Sequence, residues 1–299
     1  MYKHLTFSVK NISLLVMFNN LSLKSIGSHG GKALATVLTI FIAGAVACSP
    51  DNQIQTEEIR YSVDGQEYVG FFAYPSESHA EHKHPGVLVV HEWWGHNEHA
   101  RNAARRLAEA GYTALAVDMY GDGKTADHPS KASEFSKAVF ADLPAAEARF
   151  RAAMEKLKAH PSVDPDRIGA IGYCFGGGVV LAMARRGVDL DAVASFHGML
   201  GTEQPAQAGD VKGRLLIMTG TADEFVPPEQ VDAFRQEMET ADVDFEIVEY
   251  PDAKHAFTNP AADEMGQKFE IPIGYNKAAD EQSWQKLLDF LNTVWPEHS

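Results

Sequence analysis

Short apolar runs recur along the chain, at residues 69–74, 87–90, 114–117, 168–171, 192–196, 215–218 and 245–248. Each is hydrophobic at consecutive positions, the pattern of a strand buried on both faces. Between most of them lie stretches with apolar residues three and four apart, at 98–110, 145–159 and 230–239, and another at 283–294 closes the chain. Strands of this kind alternating with amphipathic helices predict an α/β domain, a mostly parallel sheet flanked by helices on both faces. No internal repeat, low-complexity block or long linker interrupts the pattern, so one domain is expected over residues 59–299. Parallel sheets hold their ligands beyond the carboxyl ends of the strands. The loops that follow strands are therefore where chemistry is to be sought.

The N-terminal part reads differently. Residues 33–47 (ALATVLTIFIAGAVA) carry no charge and follow Lys32, and no Asp or Glu occurs before Cys48. The run is short of the roughly 20 apolar residues of a membrane span. A basic start, an apolar middle and small residues before a cut site are the layout of a bacterial signal peptide, assigned here to residues 1–47, with Met17 as an alternative start. Ala45-Val46-Ala47-Cys48 is similar to a lipoprotein processing site. It predicts acylation of Cys48, a short tether over residues 48–58 and a place in the cell envelope, facing the periplasm. The whole chain has 26 Lys and Arg against 41 Asp and Glu, a formal charge of −15, which argues against nucleic acid as a partner. With two cysteines, and Cys48 assigned to the lipid, Cys174 is expected to be a free thiol.

Cys174 stands in Gly172-Tyr173-Cys174-Phe175-Gly176-Gly177-Gly178, directly after one apolar run and before a helical stretch. That is the strand, sharp turn and helix of a nucleophile elbow, with Cys where Ser is commoner. The alternative is an inert core cysteine beside a Gly-rich turn. Two further segments favour chemistry. Residues 215–218 lead into Thr219-Gly220-Thr221-Ala222-Asp223, and residues 245–250 lead into Pro251-Asp252-Ala253-Lys254-His255. Nucleophile, acid and His follow one another in the chain order of an α/β-hydrolase triad, with His255 as base and Asp223 as its orienting carboxylate.

With Val90-His91-Glu92-Trp93-Trp94-Gly95 and His255-Ala256-Phe257, these motifs make the chain resemble the dienelactone hydrolase family, over about residues 60–295. The resemblance implies the α/β-hydrolase fold, a Cys174-Asp223-His255 triad, an oxyanion hole from the backbone N–H groups of Trp93 and Phe175, and no metal or organic cofactor. It also implies that Glu92 contacts the resting thiol; a bland alternative pairs Glu92 with Arg101 or Arg105. The implied substrate is a small ester or lactone. The family's type enzyme grips an anionic substrate with Arg side chains, one of them four residues past the histidine. That position is Asn259 here, and the loop after residues 114–118 offers Lys124 instead. Trp94, Tyr120, Lys124, His197, Phe257 and Asn259 are expected to line the pocket.

Two other readings compete. His79, His82 and His84, or His91, Glu92, His96 and His99, could serve an exported metal-binding module, although the second set lacks the His-Glu-x-x-His spacing. Thiol redox chemistry would need a resolving partner for Cys174. The sequence does not fix the oligomeric state.

Overall fold

The computed structural model describes residues 54–76 and 83–296; the leader, Cys48, His79 and His82 lie outside them. Along the chain run β1 (Ile54–Val63), β2 (Gln66–Pro75), β3 (His84–Val90), α1 (Glu98–Glu109), β4 (Thr113–Val117), α2 (Pro129–Phe140), α3 (Leu143–Lys158), β5 (Val163–Tyr173), α4 (Phe175–Arg185), β6 (Ala192–Phe196), β7 (Arg214–Gly220), α5 (Pro228–Thr240), β8 (Phe245–Tyr250), α6 (Ala262–Phe269) and α7 (Lys277–Val294). The strands form one sheet in the order β1-β2-β4-β3-β5-β6-β7-β8. β1 and β2 are antiparallel to their neighbours, and from β4 to β8 every pairing is parallel.

Both faces of the central parallel strands are covered, which is why β3, β4 and β6 are almost continuously apolar, whereas β8 at the sheet edge exposes Glu246 and Glu249. On β3 and β4, Leu88, Val90, Leu115 and Val117 point into a core built with Phe150 and Leu157 of α3, Val179 and Met183 of α4, and Phe234 of α5. The intervening Val87, Val89, Ala114 and Ala116 meet Ala100, Ala104 and Leu107 of α1 and Leu287, Phe290 and Leu291 of α7. Burying each such Val or Leu contributes about 1.5–3 kcal/mol relative to exposure.

All seven expected strands are present, several of them longer than their apolar runs. β1 was not anticipated, and residues 54–58, assigned to a tether, are its first half, with Ile54 opposite Pro75. β1 is an edge strand and largely exposed, so it lacks a continuous apolar run. Its signals are the alternation Ile59, Tyr61, Val63 and a two-residue turn, Asp64-Gly65, with φ of 50° and 82°. α2 and α6 were also missed: α2 buries only Ala132 and Val139, and α6 only Ala262.

Candidate active site

β5 ends at Tyr173 and α4 starts at Phe175, leaving Cys174 alone at the turn with φ 53° and ψ −114°. This is an unfavourable backbone for a residue with a Cβ. The turn is sharp because the strand and helix nearly touch: a Cβ on Gly172 would strike the Gly176 carbonyl, and one on Gly176 the Val90 carbonyl. Cys174 is half-buried and carries a free thiol. Its N–H donates to the Phe196 carbonyl at 3.0 Å, which ties the turn to β6.

Asp223 and His255 reach the same place from the ends of β7 and β8. His255 Nδ1 lies 2.8 Å from Asp223 Oδ2, and both side chains are buried. The other oxygen, Asp223 Oδ1, accepts from the N–H groups of Phe225 (2.8 Å) and Val226 (3.2 Å), so the carboxylate cannot rotate freely. Cys174 is near enough for its charge to act on the His255 imidazole. Burial by itself would disfavour an imidazolium at His255; the charge of Cys174, then the hydrogen bond and charge of Asp223, overcome it and push the group up to about 10. His255 is thus hydrogen-bonded to the Asp223 carboxylate and also feels the Cys174 sulfur.

The loop after β3 supplies the opposite wall. Glu92 is buried, and its Oε2 accepts from Asn259 Nδ2 at 2.6 Å and lies 3.9 Å from His99 Nδ1. Among the described residues this carboxylate bonds to Asn259 and not to the thiol. Arg101 and Arg105 are engaged elsewhere, with Glu58 and Glu98, so the arginine alternative for Glu92 does not hold. His91 is fully buried, and burial lowers its imidazole to about 4. Its Nε2 accepts from the Met119 N–H at 3.3 Å, so its proton sits on Nδ1 and is donated to the Glu92 carbonyl at 2.5 Å. The Gly95 N–H donates to the same carbonyl at 3.1 Å. In a trans peptide the N–H points opposite to the C=O. The Glu92–Trp93 unit is therefore held with the Trp93 N–H turned away from His91. Neither this N–H nor that of Phe175, at the first turn of α4, has an acceptor among the described residues. Two such free donors are what a developing oxyanion requires.

Residues 70–295 match the profile of the dienelactone hydrolase family. The chain belongs to the dienelactone hydrolase family. A protein of Escherichia coli (strain K12), named provisionally as a carboxymethylenebutenolidase, is 29% identical over 264 residues, 83% of this chain and 91% of that protein. Of solved structures, one named m3DLH is 38% identical with a TM-score of 0.75, covering 81% of this chain and 98% of the other. A dienelactone hydrolase-like promiscuous phosphotriesterase from metagenomic libraries is 31% identical with a TM-score of 0.74 at the same coverage. The fold is that of the α/β-hydrolases, and the protein is a dienelactone hydrolase-like hydrolase that acts on esters.

The residues expected to line the pocket differ in what they touch. The Tyr120 hydroxyl donates to the Trp93 carbonyl at 3.1 Å, and burial, then the charges of Cys174 and Asp118, raise its phenol well above the ordinary value. Phe257 is not wall but core, fully buried and packed on His197 and Tyr250. Trp94 is buried against Phe269 of α6. Asn259 is buried and committed to Glu92, so it does not face a substrate. Lys124 is paired with Asp122 at 3.4 Å. His197 is buried with its ring 5.2 Å from that of His255, and Nε2 lies 2.8 Å from Thr258 Oγ1. Burial, then the charge of His255, keep it far below the ordinary imidazole range.

Sequence reasoning missed His91, Thr258 and His99 as supports. His91 adjoins Glu92 in the motif, yet only its two hydrogen bonds disclose what it holds. Among the described residues no three His, Cys, Asp or Glu side chains are arranged to hold a metal ion.

Proposed function

We propose that the protein hydrolyses small carboxylic esters or lactones with Cys174 as nucleophile. The observation that supports this reading is the His255–Asp223 pair at 2.8 Å at the ends of β8 and β7, with Cys174 at the elbow after β5 acting on the same imidazole. His255 already holds the proton as an imidazolium, and the sulfur attacks the carbonyl carbon as its thiolate partner. The resulting oxyanion accepts hydrogen bonds from the N–H groups of Trp93 and Phe175. Collapse breaks the C–O bond; the His255 imidazolium protonates the departing alkoxide, leaving a thioester on Cys174. Water then gives a proton to His255 and attacks the thioester, and the carboxylic acid leaves as the thiolate–imidazolium pair is restored. Asp223 fixes the tautomer and stabilises the imidazolium.

The test is p-nitrophenyl acetate hydrolysis with mass spectrometry of the quenched enzyme. Wild type should turn over and carry an acetyl group on Cys174, and Cys174→Ala should lose at least about 10³-fold in kcat. A Cys174→Ala variant as active as wild type overturns the reading. Export to the cell envelope with acylation of Cys48 belongs to the same proposal; intact-protein mass from membranes should show a diacylated Cys48 as first residue, and an unmodified mature terminus refutes it.

A further inference from the structure

Every backbone N–H from Met119 to Lys124, in the loop after β4, has an acceptor. Those of Tyr120 and Gly121 donate to Asp118 Oδ1 at 2.9 and 2.8 Å, and that of Gly123 donates to Asp118 Oδ2 at 2.7 Å. Met119 donates to His91 Nε2 at 3.3 Å, Asp122 to the Glu67 carbonyl at 2.9 Å and Lys124 to the Gly121 carbonyl at 3.1 Å. Asp118 itself is fully buried, and its Oδ2 also accepts from the Val69 N–H of β2 at 3.2 Å. The Met119 carbonyl accepts from Arg149 Nη1 of α3 at 3.1 Å. Connecting loops are commonly the looser parts of a fold. One fastened at six consecutive residues keeps its side chains in one place.

The side chain it places against the active site is Tyr120. Its hydroxyl donates to the Trp93 carbonyl, and among the described residues no other group donates to that oxygen. Its ring centroid lies 5.3 Å from that of Phe175 and 4.7 Å from that of His91. Trp93 and Phe175 carry the two free N–H groups, so one side chain bears on both donor residues. The peptide planes on either side of the Trp93 Cα are then each held. His91 and Gly95 grip the carbonyl of the Glu92–Trp93 unit, and Tyr120 grips that of the Trp93–Trp94 unit. Because peptide units are planar, fixing both leaves Trp93 no soft rotation.

We infer that Tyr120 is a positioning residue of the oxyanion hole: its hydroxyl fixes the backbone at Trp93 while its ring bears on Phe175, and so it sets the two N–H groups relative to one another. The inference rests on the ester-hydrolase reading above and adds a residue to its machinery. Burial first, then the charges of Cys174 and Asp118, keep the phenol protonated, so it stays a donor to the Trp93 carbonyl.

The experiment compares wild type with Tyr120→Phe, which removes the hydroxyl and keeps the ring. Two rates are measured at one pH: hydrolysis of p-nitrophenyl acetate and alkylation of Cys174 by iodoacetamide. Alkylation displaces iodide from a saturated carbon and forms no oxyanion, so it reads the sulfur and the intact elbow alone. In Tyr120→Phe, kcat should fall about tenfold or more. Acylation and deacylation both pass through an oxyanion and should slow together, leaving KM within about twofold. Alkylation should also stay within about twofold of wild type. An unchanged kcat, a change in KM alone, or an alkylation rate that falls as far as kcat overturns the role of Tyr120 and leaves the hydrolase reading standing. A wild type that is alkylated at Cys174 yet inert towards the ester overturns the hydrolase reading and this inference with it.

Discussion

Asn259 Nδ2 donates to Glu92 Oε2 at 2.6 Å, with both side chains buried. Glu92 precedes Trp93 in the loop after β3, and Asn259 follows His255 by four residues in the loop after β8. The bond therefore joins the segment carrying a candidate oxyanion donor to the segment carrying the candidate base. Asn259→Leu should leave a buried carboxylate without its donor and cost about 1–3 kcal/mol of stability. Glu92→Gln, which retains an acceptor oxygen, should cost less in a denaturant titration. Equal costs would mean that the link is not what matters.

His91 holds the Glu92 carbonyl and with it the direction of the Trp93 N–H. His91→Ala should lower kcat by about tenfold or more, with KM little changed, because an oxyanion donor is strained only where charge develops. His91→Asn, which can return an N–H to the same carbonyl, should recover part of the loss. A change in KM alone would speak against this role.

Acid should destabilise the fold through its buried imidazoles. His91 is lowered to about 4, and His96 and His197 are also lowered, in each case first by burial. As pH falls below about 6.5 the unfolded chain binds these protons before the folded one does, so stability declines from there towards pH 4. His91 alone is worth on the order of 3 kcal/mol across that window. Thermal melts from pH 7 to 4 should show a shallower decline in His91→Asn than in wild type.

The His255 imidazolium should persist far above neutral pH. Cys174 and Asp223 together outweigh its burial and raise it to about 10. In Cys174→Ala one of these supports is gone, so the imidazole should titrate at lower pH. Nitrogen-detected NMR of the His255 ring in the two proteins would read this directly, and identical titrations would disprove a thiol contribution.

Parts of this architecture were legible because they are written locally. A strand buried on both faces must be apolar at every position, so residues 87–90 and 215–218 announce themselves. Asp223 and His255 could be located because parallel strands deliver their following loops to one rim. β1 was illegible for the converse reason: half of its surface faces water, and its pairing with β2 is decided by a hairpin and not by its own composition. Gly178 could not be told from Gly176 and Gly177 in a run of three. Each glycine has the same side chain, and only the neighbours that would meet a Cβ distinguish them.

The sequence by itself determined the alternation of strands and helices, the elbow at Cys174 and the order of the three reactive groups, because these follow from local patterning and chain direction. Tertiary structure alone decided that Glu92 meets Asn259, that His91 carries its proton on Nδ1, and that Phe257 is core while Phe140, Met199 and Phe225 are exposed. Hydrogen-bond partners and burial are properties of where distant segments pack, and no residue carries that information alone.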